Sequence, residues 1–241
     1  MTANRRPRAT RYDSLAHLRD DWTLGHDSVT QAATIYTSGQ LIGVLLACLL
    51  GIVLVTSEFS QRTATGTFLQ TPDRSAVIKS KLVAALLVAG AAWLVTTVVS
   101  VVAGAVFLHS QGYGTGLGSW AVDRAILLNL LAYLLWALFG IGFGSLVRNQ
   151  LVATVSGTVL YLIGAGAAST VFELIHTYVI DKAWVLTAQV LVPTVASNVM
   201  VSPTKLFTDS PAQWVGGAVL LAWSLAAATI GVRRLRRSDI A

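Results

Sequence analysis

The apolar positions of this chain fall into long charge-free runs separated by short polar segments that are mostly basic. Five runs hold no Asp, Glu, Lys or Arg: Thr37 to Thr56, Leu82 to Leu108, Ala125 to Val147, Leu151 to Phe172 and Ala212 to Val232. At 1.5 Å per residue, about 20 residues cross a hydrocarbon core roughly 30 Å thick. A segment in hydrocarbon must satisfy its own backbone N–H and C=O groups, so the pattern predicts helices. The expected fold is an all-α integral membrane protein with five transmembrane helices, preceded by a polar segment over residues 1–36, with the membrane domain over 37–241. A transmembrane barrel would instead need strands of about ten residues with alternating polarity.

A sixth apolar run, Trp184 to Val201, is about long enough to cross but carries Pro193 at its centre. Basic residues decide how to treat it. Arg62, Arg74, Lys79 and Lys81 follow the first span, Arg148 follows the third, and Arg233, Arg234, Arg236 and Arg237 follow the last. The opposite side has Arg124, Lys182 and Lys205. Lys and Arg collect on the cytoplasmic side, which predicts a cytoplasmic C-terminus. A sixth crossing would put the four tail arginines outside, so residues 184–201 are expected to form an external re-entrant or interfacial segment, with Trp184 and Trp214 near the headgroups; an ordinary apolar loop is the alternative. The same count would put the N-terminal segment outside, yet it carries Arg5, Arg6, Arg8, Arg11 and Arg19, so two readings compete: a span that related proteins would have before it is lacking, or the segment is cytoplasmic and meets the first span unusually. These arginines do not read as a signal peptide, because no apolar core follows until about residue 39.

Composition agrees with this picture. Apolar residues make up 54% of the chain, charged residues 12%, and the mean hydropathy is +0.67. A soluble domain carries about 25% charged residues, so a soluble enzyme is excluded. The net charge of +6 sits at the ends of apolar runs, which argues for membrane lipids rather than nucleic acid as the partner. The single cysteine, Cys48, lies inside the first span and reads as a packing residue. Thirteen Arg against four Lys, with abundant small residues, suits a bacterial plasma (inner) membrane protein.

The loop from Ser57 to Lys81, SEFSQRTATGTFLQTPDRSAVIKSK, is the most informative polar stretch. Glu58 stands at the cytoplasmic end of the first span, Phe68 and Leu69 form an apolar pair, Pro72 disfavours helix at Thr71, and Arg74, Lys79 and Lys81 lead into the second span. A short element lying across the cytoplasmic face is expected, with its apolar pair suited to a partner's groove and its basic residues to phosphate headgroups. A plain basic inter-helix loop is the alternative.

This stretch resembles the permease subunit of ABC-2-type transporters, whose corresponding loop docks on a cytoplasmic ATPase. Counting from Glu58, Pro72 falls at +14, Arg74 at +16 and Lys81 at +23, as in that family. FGSLVRNQ (Phe143 to Gln150), the basic tail RRLRRSDIA (Arg233 to Ala241) and the external segment before the last span extend the resemblance from about residue 37 to the end. Arg62 stands where the family usually has Gly, with Gly66-Thr67 four residues on, and five spans are expected here where the family has six, the unmatched one being its first helix. The resemblance implies an exporter subunit that couples a separate ATPase to substrate movement. It implies a coupling loop of Glu58, Gly66, Thr67, Phe68, Leu69, Pro72, Arg74 and Lys81. It also implies a second permease, identical or different, and a P-loop ATPase that holds ATP and Mg.

No catalytic residues and no cofactor are expected on this chain itself. The phosphate-binding motif GxxxxGK[ST] is absent, since no lysine follows a glycine. The expected spans hold no Asp, Glu, His, Lys or Arg for intramembrane catalysis or ion coupling, and there is no HExxH for a metal. Ser38, in YTSGQ, has no His or Asp in reach along the chain; Glu173 is read as a solvated cap. Asn129, Tyr133 and Trp136 recur on one face of the third span, and Ser156 and Tyr161 lie on the fourth. They are candidates for a substrate pathway or for helix–helix contacts. Gly39, Gly43, Ala47 and Gly51, with Gly140 and Gly144, form small-residue stripes that suit either packing within the subunit or a dimer seam. The competing function is a non-transporting membrane scaffold or degenerate permease subunit.

Overall fold

The computed structural model describes residues 28–60, 74–147, 149–179, 182–207 and 210–237. Every regular element among them is helical. In chain order they are α1 (Ser28–Tyr36), α2 (Gln40–Ser60), α3 (Arg74–Ser110), α4 (Trp120–Val147), α5 (Gln150–Tyr178), α6 (Ala183–Ala188), a 3-10 turn (Gln189–Leu191), α7 (Pro193–Val201) and α8 (Gln213–Arg237). Five spans are long and apolar enough to cross a membrane: Val29–Ser57, Lys79–Ser110, Trp120–Val147, Gln150–Tyr178 and Gln213–Gly231. They coincide with the five expected from the charge-free runs.

Three boundaries differ from expectation. The first span starts at Val29, with α1 beginning at Ser28, inside the stretch read as polar. Thr30, Gln31 and Thr34 lower its hydropathy, but Val29, Ala32, Ala33 and Tyr36 share a helical face, and the last three are fully buried against Leu108, Val122 and Ala125. The helix of the second span, α3, starts at Arg74 rather than Leu82, two residues after Pro72. The last continues through the tail arginines to Arg237.

The run 184–201 is neither a straight span nor a plain loop. Trp184–Leu191 and Pro193–Val201 meet at 100°. Pro193 occupies the first turn of α7, where its missing N–H costs no helical hydrogen bond. The bend therefore falls where the proline required it.

α4 is the central helix. Over its most apolar window 56% of residues are buried, against 17% for α3 and 22% for α5. Glycines allow this centrality. A Cβ at Gly140 would collide with the Cys48 carbonyl of α2, and one at Gly144 would lie 2.9 Å from the Ile52 carbonyl oxygen. On the other side, a Cβ at Gly142 would strike the Ala227–Ala228 peptide of α8, and one at Gly231 would lie 2.8 Å from the Gly142 carbonyl. The Ser224 hydroxyl adds a 2.9 Å hydrogen bond to the Leu135 carbonyl. These contacts pair rising numbers with rising numbers, so α2, α4 and α8 run parallel, with α3 and α5 antiparallel to them. The small-residue stripes thus pack helices within one chain. Cys48 is buried there and free.

The outward faces of α3 and α5 are apolar. Leu87, Val95, Val99 and Val106 on α3, and Leu151, Leu162 and Ile163 on α5, are all more than half exposed. A water-soluble bundle would bury such rows; hydrocarbon does not penalise them. Exposed aromatics gather where α4, α6 and α8 begin: Trp120 is 69% exposed, Trp184 59% and Trp214 75%. A belt of this kind marks a membrane–water interface. This end, which also carries the bent α6–α7 pair, is called the hairpin end below; the opposite end carries Arg74, Lys79, Lys81, Arg233, Arg234, Arg236 and Arg237.

Candidate functional site

The first span is interrupted at Thr37-Ser38-Gly39, between α1 and α2. Thr, Ser and Gly are weaker helix formers than the residues around them, and glycine has the largest cost. The backbone tightens there: the Ser38 N–H bonds the Ile35 carbonyl and the Gln40 N–H bonds the Thr37 carbonyl, both three residues back rather than four. Gly39 also meets a crowded neighbour, since a Cβ there would lie 3.1 Å from the Thr96 Cβ.

Polar side chains from α3, α4, α5 and α7 gather around this break. From α4, the Tyr133 hydroxyl lies 3.1 Å from the Gly39 carbonyl and 2.8 Å from the Thr96 hydroxyl of α3. The Thr96 hydroxyl is also 2.9 Å from the Ala92 carbonyl. Each hydroxyl has one proton, so the pair has two self-consistent arrangements. Either Tyr133 donates to Gly39 and Thr96 to Tyr133, or Tyr133 donates to Thr96 and Thr96 to Ala92. From α5, the Tyr161 hydroxyl donates to the Gln40 carbonyl at 3.1 Å. The Gln40 amide then donates to the Ser197 hydroxyl of α7 at 3.3 Å, tying the first span to the bent pair.

The expected pathway residues lie in or beside this seam. Asn129, Tyr133 and Trp136 do share a face of α4, and that face is turned into the bundle and filled: their exposures are 2%, 0% and 0%. Trp136 is held edge-on between Phe139 and Tyr161, with ring centroids 5.4 and 5.0 Å away. Tyr161 joins the seam, whereas the Ser156 hydroxyl turns back to the Val152 carbonyl of its own helix. Trp136 Nε1, Asn129 Oδ1 and Thr194 Oγ1 are buried without a hydrogen-bond partner among the described residues. Each such group costs about 1–3 kcal/mol.

Gln40, Thr96 and Ser197 escaped the sequence analysis. The signal available in the sequence was TSGQ, three weak helix formers and a glutamine that interrupt an otherwise apolar run. The seam is built of hydroxyls, amides and backbone carbonyls, so its chemistry is the exchange of hydrogen bonds between neutral groups. Glu173 is exposed on α5, away from it.

The proposed coupling residues divide differently. Glu58 lies in the last turn of α2, Arg74 is the first residue of α3, and Lys81 lies within α3. Gly66, Thr67, Phe68, Leu69 and Pro72 lie outside the described residues. Among the described residues, no group of three His, Cys, Asp or Glu side chains is placed to hold a metal ion. No family model, curated protein or solved structure matches the chain.

Proposed function

We propose that this chain is the membrane-embedded permease subunit of an ATP-driven ABC-2-type exporter in a bacterial inner membrane. In this reading it works with a second permease and a separate cytoplasmic P-loop ATPase that holds ATP and Mg. What supports the reading is the 100° bent pair between the fourth and last long spans, hydrogen-bonded to the broken first span. The loop motifs from Glu58 to Lys81 add to it. Closure of the ATPases on ATP moves the loop around Phe68 and Leu69, and α2 and α3, which flank that loop, carry the movement into the bundle. At the far end of α2, the break at residues 37–39 lets α1 and α2 change their angle. The Tyr133–Thr96 pair can re-form its hydrogen bonds as they do so.

The test is purification of C-terminally tagged protein from its native membrane in mild detergent, with mass spectrometry of what accompanies it. A stoichiometric P-loop ATPase is expected. Phe68→Asp should lose that ATPase while still inserting, because a carboxylate cannot enter an apolar groove without desolvation. Recovery of the wild-type chain without any ATPase would overturn the transporter reading in favour of a membrane scaffold.

A further inference from the structure

A cleft of about 720 Å³ opens at the hairpin end, between the start of α4 and the connection from α7 to α8. Arg124 and Lys205 stand at its wall with the hydroxyl-bearing Thr204 and Ser210, while Leu128 and Val199 line it with apolar surface. Asp123, next to Arg124 in α4, is not part of the lining, and Asp209, in the connection from α7 to α8, lies outside the described residues. The connection is internally braced. The Gln213 amide donates to the Ser202 carbonyl, and the Ser202 hydroxyl donates to the Thr204 carbonyl at 2.8 Å. α8 begins at the cleft's edge with no acidic residue in its first turn, so the positive end of its dipole adds to the two cations.

The depth of the cleft matters as much as its charge. α4 has 28 residues, about 42 Å, so roughly 6 Å protrudes at each end of a 30 Å hydrocarbon core. Arg124 is four residues into α4, about 6 Å along, which places it at the hydrocarbon boundary. The 19-residue span Gln213–Gly231 matches the core thickness and starts at the same level. Trp214, also lining the cleft and 75% exposed, is the residue type that settles at this depth. Two cations and hydroxyls at headgroup level, above apolar side chains at acyl level, complement an anionic amphiphile.

We propose that this cleft seats the phosphate headgroup of an anionic phospholipid from the leaflet at the hairpin end. Arg124 and Lys205 flank the phosphate, Thr204 and Ser210 offer hydroxyl donors, and the first acyl carbons pass Leu128 and Val199 toward the bilayer. The inference rests on the membrane depth of this end, not on the permease assignment.

Titration of the full-length protein in mild detergent with dioctanoyl phosphatidylglycerol, read by native mass spectrometry, tests it. The basic residues at the opposite end also attract anionic lipid, so Arg233→Gln/Arg234→Gln is the control. Arg124→Gln/Lys205→Gln should weaken one bound lipid by about thirtyfold, while the control keeps it. Thr204→Trp, which fills the cleft and keeps both charges, should lose the same lipid. Binding by both cleft variants as in the wild type would overturn the proposal. So would equal binding of dioctanoyl phosphatidylcholine, or displacement of the lipid by equimolar inorganic phosphate, which would make the cleft a free-anion site.

Discussion

Replacing Gly140 with alanine tests whether α4 is central because glycine lets α2 approach it. The new Cβ would lie 3.0 Å from the Cys48 carbonyl carbon and 3.2 Å from its Cα, with the carbonyl oxygen closer still. All three atoms are backbone, so no rotamer change relieves the clash and α2 must move away. Overpacking of this kind costs about 1–3 kcal/mol. Against it stands the gain of about 0.5–1 kcal/mol when Gly becomes Ala within a helix. Gly90→Ala separates the two effects. Gly90 lies in α3 with nothing within 4 Å of its added Cβ, so it receives the helix gain alone. Reversible unfolding in mixed micelles of mild detergent and SDS, followed by tryptophan fluorescence, is the assay. The SDS-denatured state keeps helix, which cancels much of the propensity gain. Gly90→Ala should therefore lie near wild type and Gly140→Ala about 1–3 kcal/mol below it. Equal stabilities for the two variants would refute the close-packing argument.

Two further outcomes follow from the same interior. Tyr133→Phe removes the hydroxyl shared by Gly39 and Thr96 and should lower stability by about 1 kcal/mol in the same unfolding assay, typical of a hydrogen bond between membrane helices; a wild-type value would show that the seam contributes no stability. Cys48, fully buried beneath Gly140, should resist maleimide in mild detergent and react rapidly in SDS, as read by intact mass. Gly140→Ala should speed its labelling in mild detergent, because the helices that cover it have parted.

The spans were legible in the amino-acid sequence because the requirement for an uncharged stretch of about 20 residues is local, set by hydrocarbon thickness and backbone hydrogen bonding. Pro193 was equally local: wherever the chain ran, a proline in mid-segment had to begin a new helix or bend an old one. α1 was less visible, since Thr30, Gln31 and Thr34 dilute hydropathy while Ala32, Ala33 and Tyr36 form a buried face that an average cannot report. The roles of shared residues were not local at all. Asn129, Tyr133 and Trp136 share a face in any helix, but whether that face lines a passage or fills a core depends on what stands opposite, and here α2 and α5 fill it. Gly140 and Gly144 marked a close approach without naming the partner. Only the tertiary structure could show that Cys48 and Ile52 of the same chain occupy it, or bring Arg124 and Lys205, 81 positions apart, to one cleft. Hydrophobic pattern determines which segments enter the membrane, because lipid reads each segment by itself; packing determines which faces meet, because complementarity belongs to pairs of surfaces.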